Sequence, residues 1–259
     1  MLRRVILSLA LVVLTAHAVS GIGAVHAVQP DPPPGMIDTF VRLDSVYIPV
    51  LALASEGRTD HARLAVVRLK HVWTRFYSRY SNAYSDDAWR DALAKAGRHV
   101  AEGTNYLQRG EPQEAHVALE PVRDLLRQAR LDQGIDYFPD RLTAFHDPME
   151  AIVLATKGRS ALSDADVAEL RALLVRAYQR WSDVVTATFD ADRFGFSPER
   201  ATRLTRLMRQ ESEALGNLRA ALDSGDKAAV LAAGPKLKPP FAQAYKLFGD
   251  FEGLEEKQG

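Results

Sequence analysis

One carboxylate stands where the pattern of the chain calls for an apolar residue. In the segment 198–223, Leu204, Leu207, Met208, Leu215, Leu218 and Leu222 share one face at ~100° per residue, and Glu211 falls at its centre. Removing a lone carboxylate from water is costly, so Glu211 must be protonated, paired (Arg180 is the nearest candidate in sequence pattern) or bound to a metal. The segment 140–157 offers company. Phe145, Met149, Ile152 and Val153 form its apolar face, His146 flanks that face, and Glu150 lies one turn further along the same edge. A His and a Glu at i and i+4 can direct both side chains at one point, a common way for a helix to supply two metal ligands. The expectation is a metal site at His146, Glu150 and Glu211, with Met149 as a softer cofactor ligand. Glu oxygens and imidazole suit iron or zinc, and a thioether shifts the preference towards copper.

Other chemistry is sparse. The chain has no cysteine, which excludes a thiolate nucleophile, an iron–sulfur cluster and covalent c-type haem. It contains no G-x-S-x-G elbow, P-loop, dinucleotide fingerprint or H-E-x-x-H. Asp190–Gly195 begins like a calcium loop, but Ala201 stands where the twelfth-position Glu is needed. His71 opposes the apolar face of its segment and is read as solvated, His61 begins one, and His116 with Glu120 lies off the Ala115, Ala118, Val122, Leu125 stripe; none of the three is taken as a site residue. In the first half, His99 flanks its stripe, and Asp44 fills the slot matching His146. The aromatics Trp73, Phe76, Tyr77, Tyr80 and Tyr84 are read as core.

The elements that must position these residues are helices. Nothing after the Pro-rich stretch Asp31–Gly35 alternates with period two, whereas helical periodicity recurs throughout. Eight helices are expected, at 38–56, 60–82, 86–109, 111–132, 140–157, 163–188, 198–223 and 226–251. Asp60, Asp86, Asp140, Ser163 and Ser197 sit at N-cap positions, and Gly57, Gly110, Gly134, Gly158 and Gly225 follow C-termini. Stripe positions match between the halves at offsets of 102, 108 and 115, as in Leu43, Tyr47, Val50 and Leu51 against Phe145, Met149, Ile152 and Val153. The fold expected is all-α, a tandem duplication of two antiparallel four-helix bundles: 38–133 and 134–259. Prolines recur in the first and last helix of each half (Pro49, Pro121, Pro148, Pro235, Pro239, Pro240), where kinks either open a cavity or curve the helix around the core.

The first 27 residues read as an export signal: Arg3 and Arg4, an apolar run from Val5 to Val19, then Val25-His26-Ala27 before the Pro-rich segment 28–37. Cleavage is expected after Ala27, with Ala18 as the earlier site and an uncleaved anchor as the competing reading. The chain carries 33 Lys+Arg and 33 Asp+Glu, and losing Arg3 and Arg4 leaves a net charge of −2. That balance gives no basis for a nucleic-acid partner. No later stretch is apolar for long enough to span a bilayer. The compartment expected is the periplasm.

With the export signal, short-looped four-helix units, Met149 on the inner face of a first helix and a closing helix of the form Leu237-Lys238…Phe241…Tyr245, the second half resembles the periplasmic four-helix cytochromes, cytochrome c-prime and the soluble b-type cytochrome. The resemblance implies a haem held between Met149 and a histidine on the last helix; 226–251 has no histidine, and the c-prime attachment motif is absent. The function expected is therefore a non-enzymatic periplasmic binding protein for a metal ion or metal-containing ligand, with a periplasmic or membrane protein as a further partner. The alternatives are a ligand-free scaffold and a b-type haem protein.

Overall fold

The computed structural model describes residues 31–254, all of whose regular structure is helical. The export-signal reading falls on residues 1–27, outside the described residues. Ten α-helices follow in order: α1 Met36–Ser55, α2 Thr59–Tyr80, α3 Asp87–Arg109, α4 Pro112–Leu119, α5 Pro121–Asp132, α6 Phe138–Thr156, α7 Asp164–Val185, α8 Pro198–Ser224, α9 Lys227–Ala233 and α10 Lys238–Lys246. The expected helices at 111–132 and 226–251 are each divided. The first becomes α4 and α5. The second becomes α9, a 3₁₀ turn over Gly234–Leu237, and α10.

Capping explains most boundaries. Asp86 accepts from the Ala88 amide (2.8 Å), Ser197 accepts from that of Arg200 (3.2 Å), and Ser163 forms a reciprocal capping box with Asp166. Gly110 and Gly225 close α3 and α8 at φ 83° and 75°, a region costly for any residue with a Cβ. Two expected caps are corrected: Asp60 and Asp140 lie inside α2 and α6, and Asp140 is used for an ion pair.

Helices α1, α2, α3 and the α4–α5 pair close one ring of neighbours, and α6, α7, α8 and the α9–α10 segment close another. The two rings touch where α1 meets α10 and α5 meets α6. Their apolar residues form one continuous core, so residues 31–254 pack as one unit. Trp73, Phe76 and Tyr80 are buried in it, as the sequence predicts, while Tyr77 is exposed. Among the described residues no helix is long and apolar enough to cross a membrane.

At Pro49 the lost donor is replaced from elsewhere in the chain. Pro49 has no N–H for the Ser45 carbonyl, and the Asp250 amide takes that place at 2.7 Å. Beside Pro121, the buried Tyr47 hydroxyl donates to the Leu119 carbonyl at 2.8 Å. Pro235, Pro239 and Pro240 divide the last helical stretch, and its 3₁₀ turn lies so close to α6 that a Cβ on Gly234 would overlap Thr156.

Candidate functional site

The disturbed helices converge. Around Pro49, α1 supplies Ile48, Leu51 and Ala52; on either side of Pro121, His116, Glu120 and Arg123 face the same space. Around Pro148, α6 supplies His146 and Met149, and beside Pro239 and Pro240, α10 supplies Lys238, Phe241, Tyr245 and Lys246. Together with Ser55, Lys157 and Ala242 they enclose a cleft of about 330 Å³ where the two rings of helices meet. The sequence left the prolines as either opening a cavity in each half or curving the helices around the core; the cleft lies between the two rings.

A polar chain crosses its floor. The His116 Nδ1–H donates to the Leu51 carbonyl (3.2 Å), and its Nε2 lies 3.5 Å from a Glu120 oxygen. Burial holds the His116 pKa below its ordinary value, against the opposing pull of Glu120 and of the Leu51 carbonyl. The same Glu120 oxygen accepts from Arg123 Nη2 at 3.1 Å, and Nη2 also donates to His146 Nδ1 at 2.8 Å. Because a guanidinium can only donate, that imidazole nitrogen is the acceptor. Arg123 is only 8% exposed, and its Nε has no partner among the described residues. At the mouth, Lys238 pairs with Glu150 (2.8 Å) and Lys246 with Glu56; Lys157 makes no ion pair among the described residues. The apolar side is formed by Ile48, Leu51, Met149 and Phe241, with the Phe241 and Tyr245 rings stacked at 6.0 Å and 12°.

The expected metal set does not assemble. Among the described residues no group of three His, Asp or Glu side chains is placed to hold a metal ion. Arg123 occupies His146, and Lys238 occupies one oxygen of Glu150, whose other oxygen is buried and unpartnered. Two positive side chains thus stand where a cation would need open lone pairs, so His146, Glu150 and Glu211 do not fit a transition-metal centre. Met149 is fully buried and lines the cleft. Glu211 is fully buried on α8, as its stripe requires, but neither oxygen has a hydrogen-bond partner, and Arg180 turns to Asp183 instead. Burial raises its pKa to about 8; the Phe241 main-chain amide pulls weakly the other way without reaching hydrogen-bonding geometry. Of the three states open to it, Glu211 is the protonated one at neutral pH.

A second buried polar group lies deeper. Arg130, two turns after Arg123 on the same face of α5, grips Asp140 through Nε (2.8 Å) and Nη2 (2.5 Å). Its guanidinium lies over the Phe40 and Tyr137 rings at 4.5 and 4.6 Å. Tyr137 donates to Asp44 at 2.8 Å, and burial raises the Asp44 pKa to about 6 against the pull of Arg130 and of that hydrogen bond.

Sequence reasoning passed over His116, Glu120 and Arg123. It projected 111–132 as one straight helix, which puts Leu125 inside and His116 outside. After Pro121 the phase changes: Leu126 is buried in place of Leu125, and Arg123 turns inward. Pro121 was the available signal.

No protein-family model matches the chain, and neither a curated protein nor a solved structure matches it.

Proposed function

We propose that this is an exported, non-enzymatic binding protein that takes a small ligand into the cleft between α1, the α4–α5 junction, α6 and α10. The observation that carries this reading is the convergence of four proline-disturbed helices on one concave site of about 330 Å³, at the lower end of the ~300–1,000 Å³ usual for small-molecule sites. Pro49 and Pro148 are interior, at about 3 kcal/mol each in a helix, while Pro121, Pro239 and Pro240 stand in the first turns of α5 and α10. Binding is favoured over chemistry because no lining hydroxyl is activated. Ser55 donates to the Ala52 carbonyl, and burial raises the pKa of Tyr245. Export rests on the signal-like residues 1–27 and makes the compartment the periplasm, where a second periplasmic or membrane protein would receive the ligand.

The test is a ¹H–¹⁵N NMR titration with a set of small aromatic and aliphatic acids, amines and amides. Binding in the cleft shifts the Ala52, His146 and Ala242 amides, and Ala242→Trp, which fills the space, abolishes those shifts. If no compound shifts these amides, or the shifts survive Ala242→Trp, the reading fails and a ligand-free scaffold takes its place.

A further inference from the structure

The charges of the cleft identify the kind of ligand. Four cations line it, Arg123, Lys157, Lys238 and Lys246. Three carboxylates engage them: Glu120 on Arg123, Glu150 on Lys238 and Glu56 on Lys246. Lys157 is the cation without an ion pair among the described residues. The buried Arg123 keeps an unpartnered Nε. Arg130 also keeps a buried, unpartnered nitrogen, but Arg123 lines the cleft and Arg130 does not, so it is the Arg123 guanidinium that an incoming oxyanion can approach.

From the unpaired Lys157, the Arg123 guanidinium on the cleft wall and the facing wall of Ile48, Leu51, Met149 and Phe241, we infer that the cleft binds a small monocarboxylate with an apolar body. This rests on the reading of the cleft as a binding site. The carboxylate pairs with the Arg123 guanidinium and lies within the field of Lys157, while the hydrocarbon or aromatic part lies along the Phe241–Tyr245 ring stack. The three glutamates already seated on Arg123, Lys238 and Lys246 show that these cations accept carboxylate geometry in this setting.

The experiment pairs each acid with its neutral isostere, following the Ala52 and Ala242 amides of the purified protein: hexanoate against hexanamide, benzoate against benzamide, with acetate and inorganic phosphate as bare oxyanions. Hexanoate or benzoate is expected to bind saturably and at least about tenfold more tightly than its amide, the size of effect one charge-assisted hydrogen bond provides. Arg123→Gln is expected to erase that preference. Because Arg123 is largely buried, Lys157→Gln at the mouth gives a second reading in which folding is not at risk, with the acid weakened about threefold and the amide unchanged. Equal binding of acid and amide would overturn the monocarboxylate while leaving the cleft a binding site. Acetate or phosphate binding as tightly as hexanoate would overturn the apolar body. No binding by any acid or amide would overturn both this inference and the reading beneath it.

Discussion

Arg123 and Arg130 stand two turns apart on one face of α5, both almost out of solvent, and they are treated in opposite ways. Arg130 has a carboxylate held by two hydrogen bonds, two aromatic faces against it and a second acid, Asp44, within its field, and only its Nη1 lacks a partner among the described residues. Arg123 has a shared nitrogen reaching Glu120 and His146, a spare Nε, and a cleft beside it. A buried charge is tolerated when a counter-charge is held against it, so the Arg130 cluster, with its two-point grip on Asp140, reads as architecture, locking α5 to α6 and to α1 through Tyr137. The Arg123 cluster is incomplete beside a cavity, which is the arrangement expected where a ligand supplies the missing acceptor. Position on a helix face does not separate the two. What separates them is whether the facing helix brings a matched carboxylate.

The largest effect that could break this contrast is at Asp140. Asp140→Ala leaves Arg130 buried without its counter-charge and should cost about 3–5 kcal/mol in urea unfolding, whereas Glu120→Ala beside Arg123 should cost under ~1 kcal/mol. Equal losses would place both arginines in the same class. Glu211 sharpens the contrast as a buried acid with no partner at all. Replacing it by Leu should stabilise the protein by about 1–3 kcal/mol at pH 7, since no hydrogen bond is lost. Its folded pKa of about 8 lies above the ordinary value of 4.5, so the folded state holds a proton that the unfolded state releases. Stability from this group is fully present below pH 4.5 and is lost as pH rises towards 8, at about 1.4 kcal/mol per pH unit. Glu211→Gln should flatten that slope, and an unchanged slope would show that Glu211 is ionised in the fold.

A smaller effect is expected at Tyr137. Tyr137→Phe removes the hydrogen bond that holds Asp44 down, costs about 1 kcal/mol, and moves the Asp44 carboxyl titration, followed by ¹³C NMR, upward from about 6. A downward move would mean that Tyr137 is not the donor.

Much of this was readable in the sequence because amphipathic stripes and caps are local. Glu211 at the centre of the α8 stripe was visible from spacing alone, and so was its need to be neutralised, paired or ligated. The prolines were visible as well, but not that they would face one another, since that depends on how α1 and α10 meet. The metal site was misread for a physical reason. His146 and Glu150 do share an edge of α6, but the segments facing them deliver Arg123 and Lys238, whose inward direction follows from the breaks at Pro121 and Pro239. A straight-helix projection cannot carry phase through a proline.

The most direct test of the central claim follows the two arginines together. In a hexanoate titration observed at the arginine side-chain Nε–H resonances, the Arg123 signal should shift along a saturable curve while the Arg130 signal stays fixed. A silent Arg123, or equal movement of both, would contradict the account, because the open guanidinium would then be no more a binding group than the sealed one.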